Sequence, residues 1–235
     1  LNTEKIDDIT KDNLISKNIE FEIGEHSEKV FDSNLWVLSP GVPSDLDFIL
    51  KAKEMGILVI SEIEFASWYT KKPIIGITGS NGKTTTVNLI QKILKSSHLD
   101  PVLAGNVGYA FSRAILSDQN DEPKERVYIL ELSSFQLENI VDFKPMISVI
   151  LNISPDHLDR HKNMDEYLKM KLNMVKNVDK NDFIIYNSDD KILNTSFNES
   201  IANKIPYSLN EKNRFFSLNS TCLLYTSDAA DDNAG

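Results

Sequence analysis

The chain has 235 residues, 41% hydrophobic and 26% charged, enough to bury a core and form one or two domains. Its formal net charge of -10 argues against a nucleic-acid partner, whose affinity would rest on Lys and Arg neutralising phosphates, yet leaves room for a small phosphate ligand at a local positive site. No apolar run of about 18 residues occurs, the opening LNTEKIDDIT has no basic region leading into an apolar one, and a single cysteine gives no disulfide framework; the expectation is a cytoplasmic protein without membrane insertion.

In chain order, short apolar runs alternate with helical patterns, the βαβ signature of a parallel sheet covered by helices. LWVLS (Leu35–Ser39) reads as a strand ending in the loop PGVPSD. A helix with apolar Leu46, Ile49, Leu50 and Met55 follows, then a strand at Ile57–Ile60 and a helix over EIEFASWYT. Lys71-Lys72-Pro73 is a plausible domain joint. Beyond it the expected strands are Pro73–Thr78, Pro101–Ala104, Val127–Leu132, Met146–Leu151 and Phe183–Tyr186. Helices are expected after Gly82, near Tyr109–Leu116 and over Met164–Val178, with Ser117–Arg126 a polar surface loop. PYSL and RFFSL near the end read as further short strands, expected to be antiparallel.

The stretch GITGSNGKTTT (Gly76–Thr86) joins an apolar strand to a helix through a Gly/Ser/Asn turn. A strict phosphate loop needs Gly, four residues, then Gly-Lys-Ser/Thr; here Gly82-Lys83-Thr84 supplies the second half, but the first glycine position holds Ile77. The physics survives the textual mismatch. Free N–H groups at a helix start, with the helix dipole behind them, attract phosphate. The expected ATP-binding set is Gly79, Ser80, Asn81, Gly82, Lys83, Thr84 and Thr85, with the Lys83 amine on the β/γ-phosphates and the Thr84 hydroxyl on Mg²⁺. A plain turn is the bland alternative.

VYILELSSFQLE puts Glu131 at the carboxyl end of a buried strand, where ligands of open α/β sheets collect and where a carboxylate can hold a metal that bridges phosphates. GNVG (Gly105–Gly108) is by itself a simple turn. LNISPDHLDRH offers Ser154 as N-cap and Pro155 as first helical residue, which places Asp156 and His157 in a first turn at the same sheet edge. On the helix from Met164, the residues Met164, Tyr167, Leu168, Met174, Val175 and Val178 form one stripe, and Lys171 interrupts it. Such a lysine either snorkels to water or has its amine pushed towards the neutral form.

Thr78–Thr84 resembles the phosphate loop of the Mur ligase family, Thr-Gly-Ser/Thr-x-Gly-Lys-Thr/Ser, a pattern that accounts for the missing glycine. DHLDR also matches a motif of the family, and ELSSFQLE, SPGVP (Ser39–Pro43) and GNVG resemble, more specifically, the branch that joins D-glutamate to UDP-N-acetylmuramoyl-L-alanine. The resemblance implies a P-loop-type, parallel-sheet α/β central domain preceded by part of a Rossmann-like N-terminal domain. It implies ATP-dependent amide formation through an acyl phosphate, in peptidoglycan precursor synthesis, and hence a part in cell shape and division. It also implies two Mg²⁺ sites, one at Thr84 and Glu131, the other at His157 and a carbamylated Lys171. Lys83, His157 and Lys171 would be catalytic, and Asn106 and Ser133 would position the UDP substrate. The full-length enzyme is expected to be a monomer.

On this reading, residues 1–70 are part of the UDP-substrate-binding domain and 71–221 part of the ATP-binding domain, with the amino-acid-binding C-terminal domain absent. CLLYTSDAADDNAG, from Cys222 to Gly235, breaks with the preceding composition and resembles the translation of a sequencing-library adapter; it is expected to be a non-native tail, the alternative being a short natural one. Such a fragment is expected to lack ligase activity. Three alternatives stay open: a sister Mur ligase, a folylpolyglutamate synthase-type ligase, and a non-catalytic ATP-binding module.

Overall fold

Strands buried on both faces need apolar residues at nearly every position, and Ile74–Thr78 (IIGIT) is buried throughout. It lies at the heart of a six-stranded, wholly parallel sheet in the computed structural model of the chain, which describes residues 6–118, 125–155 and 163–209.

A smaller unit comes first. Helix α1 (Asp8–Ser16) is capped by the Asp7 carboxylate, which accepts the Thr10 N–H at 2.8 Å, and buries no residue. A 3-10 turn at Glu28–Asp32 leads to β1 (Leu35–Leu38). α2 (Asp47–Glu54) then crosses to β2 (Leu58–Ser61), which pairs parallel with β1 from Leu35↔Leu58 to Leu38↔Ser61. The unit's core is Val42, Ile49, Ala52, Ile57 and Val59, with Phe31, Trp36 and Phe48 packed against it. α3 (Glu62–Ser67), capped by the Ser61 hydroxyl, belongs by its packing to the larger unit, because Ile63 and Ala66 join that unit's core.

The large sheet runs in the order β4-β5-β3-β6-β7-β8, where β3 is Ile74–Thr78, β4 Asp100–Gly105, β5 Arg126–Glu131, β6 Ile147–Ile150, β7 Phe183–Asn187 and β8 Asn203–Tyr207. Alternation along each strand sends Ile75, Ile77, Val127, Ile129 and Val149 to one face, under α4 (Lys83–Lys95). Ile74, Tyr128, Leu130 and Ile150 go to the other, with Phe111 of α5 (Phe111–Asp118) and Tyr167 of α6 (Met164–Leu172). The outer strands are joined by α7 (Lys191–Ser196). Among the described residues, no helix is long and apolar enough to cross a membrane.

The parallel α/β architecture is the one the alternating pattern predicts, and three details differ. The segment around PYSL is strand β8, but it runs parallel to β7, because the six-residue helix α7 carries the chain back over the sheet before it pairs. RFFSL lies outside the described residues. α5 extends over Ser117 and Asp118, and β5 begins at Arg126, so the expected surface loop is shorter at both ends. The helix expected to reach Val178 ends at Leu172 and tightens into a 3-10 turn at Asn173–Val175, where the Asn173 amide donates to the Leu137 carbonyl at 2.9 Å.

Candidate active site

β3 ends at Thr78, and the chain must turn at once into α4. Gly82 makes the turn, with φ +82°, a backbone region that side chains disfavour. The first turn of α4 has no preceding helical carbonyls for its N–H groups, so they face outward at the positive end of the helix dipole. The loop is stitched to the end of β6. Asn152 accepts the Ser80 N–H on its carbonyl at 3.0 Å and the Asn81 N–H on its side chain at 2.9 Å, and its amide donates to the Asn81 carbonyl. The buried Ser80 hydroxyl donates to the Ser154 carbonyl at 2.9 Å, accepts the Ser154 N–H and lies 3.0 Å from the Tyr167 hydroxyl.

Two amines meet on one atom. Lys83 Nζ donates to the carbonyls of Gly79 and Ser80, each at 2.9 Å, and Lys171 Nζ reaches the same Gly79 carbonyl at 2.9 Å, 92 residues away in sequence. Lys171 is 2% exposed and stands 4.7 Å from the Tyr167 ring centroid. The snorkelling alternative is thereby excluded: this lysine turns inward, and α6 carries it to the phosphate loop.

A carboxylate faces them from β5. Glu131 is 1% exposed; one oxygen accepts the Thr84 hydroxyl at 2.8 Å and the other the Asn106 amide at 2.8 Å. Asn106 gets there because the chain leaves β4 at Gly105, pressed so closely on β5 that a side chain would begin 2.3 Å from the Glu131 carbonyl oxygen; its φ is +99°. A buried carboxylate beside a hydroxyl supplies hard oxygen donors of the kind Mg²⁺ selects. Among the described residues Glu131 and Lys83 form no ion pair.

The structure thus places Gly79, Ser80, Asn81, Gly82, Lys83, Thr84, Asn106, Glu131 and Lys171 around one corner of the sheet, at the carboxyl ends of β3, β4 and β5. Thr85 is exposed in the first turn of α4. Ser133 turns to its own loop: its N–H and hydroxyl both donate to Gln136 Oε1, at 3.0 and 3.2 Å. His157 and Asp156 lie outside the described residues, as does the helix start expected after Pro155.

Residues 77–228 match the Mur ligase middle domain. The chain belongs to the Mur ligase family. Residues 1–48 match the MurD N-terminal domain. A curated relative, the UDP-N-acetylmuramoylalanine--D-glutamate ligase of Christiangramia forsetii, is 42% identical over 212 residues, covering 88% of this chain and 46% of the relative. The ligase of the same name from Bacteroides thetaiotaomicron is 44% identical over 190 residues, 80% of this chain and 42% of that one. The chain spans about half the length of the curated relatives it matches. Among solved structures, a UDP-N-acetylmuramate:L-alanyl-gamma-D-glutamyl-meso-diaminopimelate ligase from Neisseria meningitides has the same fold (TM-score 0.55, 15% identity, 88% of this chain and 68% of that chain).

For this Mur ligase chain, the sequence reading overlooked Asn152 and Tyr167 as parts of the site. Asn152 follows the apolar strand β6 as Glu131 ends β5, and that shared position is a usable signal. Tyr167 reads as core, and its ring is core; only its hydroxyl reaches Ser80.

Proposed function

We propose that the protein carrying this sequence uses ATP to join D-glutamate to UDP-N-acetylmuramoyl-L-alanine. The observation that carries the proposal is the meeting of Lys83 and Lys171 on the Gly79 carbonyl, beside a buried Glu131 tied to Thr84 and Asn106. The names of relatives about 40% identical point to the same chemistry.

The N–H groups at the start of α4, with the side chains of the loop from Gly79 to Thr85, would receive the triphosphate, and the Lys83 amine would leave its two carbonyls for the β/γ-phosphates. Phosphoryl transfer asks chiefly for position and charge neutralisation. Thr84 and Glu131 would hold one Mg²⁺, which neutralises phosphate charge when bound; the Asn106 amide then keeps the Glu131 carboxylate turned inward. The substrate carboxylate takes the γ-phosphoryl and becomes an acyl phosphate; the D-glutamate amine attacks it, releasing phosphate and forming the amide. Asn106 and Ser133 would position the UDP substrate.

His157 and a carbamate on Lys171 would hold a second Mg²⁺. The burial of Lys171 at 2% exposure beside the phosphate loop supports this reading; a carbamate forms when an uncharged amine adds CO₂ and loses a proton. Residues 1–70 and 71–221 are proposed as parts of the UDP-substrate and ATP-binding domains, and 222–235 as a non-native tail. The whole ligase would work as a cytoplasmic monomer in wall-precursor synthesis, serving cell shape and division.

The test is ADP release by the whole gene product in the presence of Mg²⁺. Release that requires both UDP-N-acetylmuramoyl-L-alanine and D-glutamate is expected. Equal release with another amino acid would move the protein to a sister branch. The 235-residue chain alone is expected to give none.

A further inference from the structure

Glu64 lies outside the site just described and is fully buried, at 0% exposure. Its carboxylate accepts four N–H donors. Oε2 takes the backbone N–H groups of Val141 and Phe143 at 2.9 and 2.8 Å, and Oε1 takes that of Asp142 at 3.0 Å and the Trp68 indole at 2.7 Å. Three successive backbone N–H groups converging on one point form an anion-binding concavity. Here the chain fills that concavity with its own side chain, brought from α3 almost eighty residues away.

The clamp joins parts that the proposed reaction must align. α3 follows directly on β2, at the end of the front unit. Residues 141–143 end the excursion that leaves β5 at Glu131 and passes through Ser133 and the 3-10 turn Phe135–Leu137. Just before the clamp, the Asn139 carbonyl accepts the Ser61 N–H at 3.2 Å, and the Asn139 amide donates to the Ser44 hydroxyl at 2.7 Å. Ser44 belongs to the loop after SPGVP. The front unit is therefore fastened directly at Asn139, and the helix it leads into is fastened at Val141–Phe143, to the stretch of chain that begins with the metal-ligand candidate.

We infer that Glu64 is a positioning residue: its carboxylate occupies a backbone anion site at Val141–Phe143 and so fixes α3, the helix into which the front, UDP-substrate unit leads, against the chain that leaves the strand end bearing Glu131. The consequence for catalysis rests on the ligase reading; the anion site does not. Glu64→Gln keeps the size of the side chain but presents an amide NH₂ to the N–H donors, whereas Glu64→Ala opens the concavity to a small external carboxylate.

Two measurements decide it, both on the whole gene product. In Glu64→Ala, hydrogen-exchange protection of the Val141, Asp142 and Phe143 amides is expected to fall roughly a hundredfold, since buried donors lose their acceptor. Formate is expected to restore at least about a tenth of the lost protection, while doing nothing for wild type or for Glu64→Gln. Formate acting no differently on Glu64→Ala than on wild type overturns the anion site. Should Glu64→Ala not fold, an unchanged protection pattern in Glu64→Gln overturns it equally. In turnover assays, Glu64→Gln is expected to raise KM for UDP-N-acetylmuramoyl-L-alanine roughly tenfold with KM for ATP unchanged, and Glu64→Asp to recover part of it. Unchanged KM for the UDP substrate overturns the positioning role. Wild type without ligase turnover sinks the ligase reading, and the formate measurement still judges the clamp.

Discussion

The two ends of the large sheet handle charge in opposite ways. At its amino end Arg126 and Lys144 each have their anions. Arg126 reaches Asp100 at 3.1 Å and Asp118 at 3.0 Å, Asp118 also accepts the Tyr128 hydroxyl, and Lys144 sits between Asp179 and Asp182 at 2.7 and 3.2 Å. At the carboxyl end, Lys83 rests on two neutral carbonyls and Glu131 on a hydroxyl and an amide. The carboxyl-end groups named here satisfy their hydrogen bonds, whereas at the amino end the buried Arg126 Nε finds no acceptor. Only the carboxyl-end arrangement leaves charge uncancelled, and a group held by neutral partners can be handed to a phosphate or a metal without first breaking an ion pair. At these two ends of the sheet, paired charges mark where the fold is held together, and unpaired ones mark the candidate site.

The comparison is broken most severely at Lys83. Lys83→Ala should lower turnover of the whole protein roughly a thousandfold while leaving its Tm close to wild type, because the amine holds only loop carbonyls. A fall in Tm comparable to that of a core substitution would mean that Lys83 is structural. Glu131→Gln comes next: turnover should drop about a hundredfold, and the Mg²⁺ concentration needed for half-maximal rate should rise. An unchanged Mg²⁺ dependence would remove Glu131 from the metal site.

At the other end the pattern should reverse. Arg126→Met leaves Asp118 and Asp100 facing each other without their cation and should destabilise the fold by roughly 2 kcal/mol, read as a lower denaturation midpoint, with KM for ATP unchanged. Burial, reinforced by the Asp118 carboxylate, pushes the Tyr128 phenol well above its ordinary value, so it stays a donor to Asp118 in the variant. Lys144→Ala should do least, shifting Tm by less than about 2 °C, since Lys144 and Asp179 are screened by water. The hydrogen bond to Asp179 raises Lys144 above its ordinary 10.5, and the same bond lowers Asp179 below 3.8. The pair's contribution is thus present at neutral pH; it fades in acid as Asp179 protonates and in strong base as Lys144 loses its proton. A variant whose deficit persisted at pH 2 would contradict this pairing.

Much of this was legible in the chain because the site follows strand ends. An apolar run that stops at a polar residue announces a carboxyl edge, and Thr78, Glu131 and Asn152 all stand at or just past such stops. Lys171 was legible as a charge in an apolar stripe, although the stripe cannot say which carbonyl it reaches. What stayed hidden was long-range or two-natured. β8 could not be oriented, since α7 is only six residues long and carries little periodic signal. Tyr167 looks like packing because most of it is packing. Glu64 looks like an exposed carboxylate near a helix start, and only the fold shows the three amides waiting for it. The loop after β3 fits the family pattern despite the strict mismatch, because Ile77 is a buried strand residue and the turn begins two residues later.

β3 occupies the middle of the sheet, yet the partners that shape the loop behind it are made much later: the bonds from that stretch reach 54 residues on to Leu132, 74 to Ser154, 87 to Tyr167 and 92 to Lys171. A ribosome that has just released β3 has therefore made a strand with no neighbours and a cradle with no walls. Loop closures of that span come late in folding and are slow. During synthesis, this chain can complete the bonding of that loop only after α6 has cleared the exit tunnel, and until then the apolar Ile74–Thr78 needs shelter from other nascent chains.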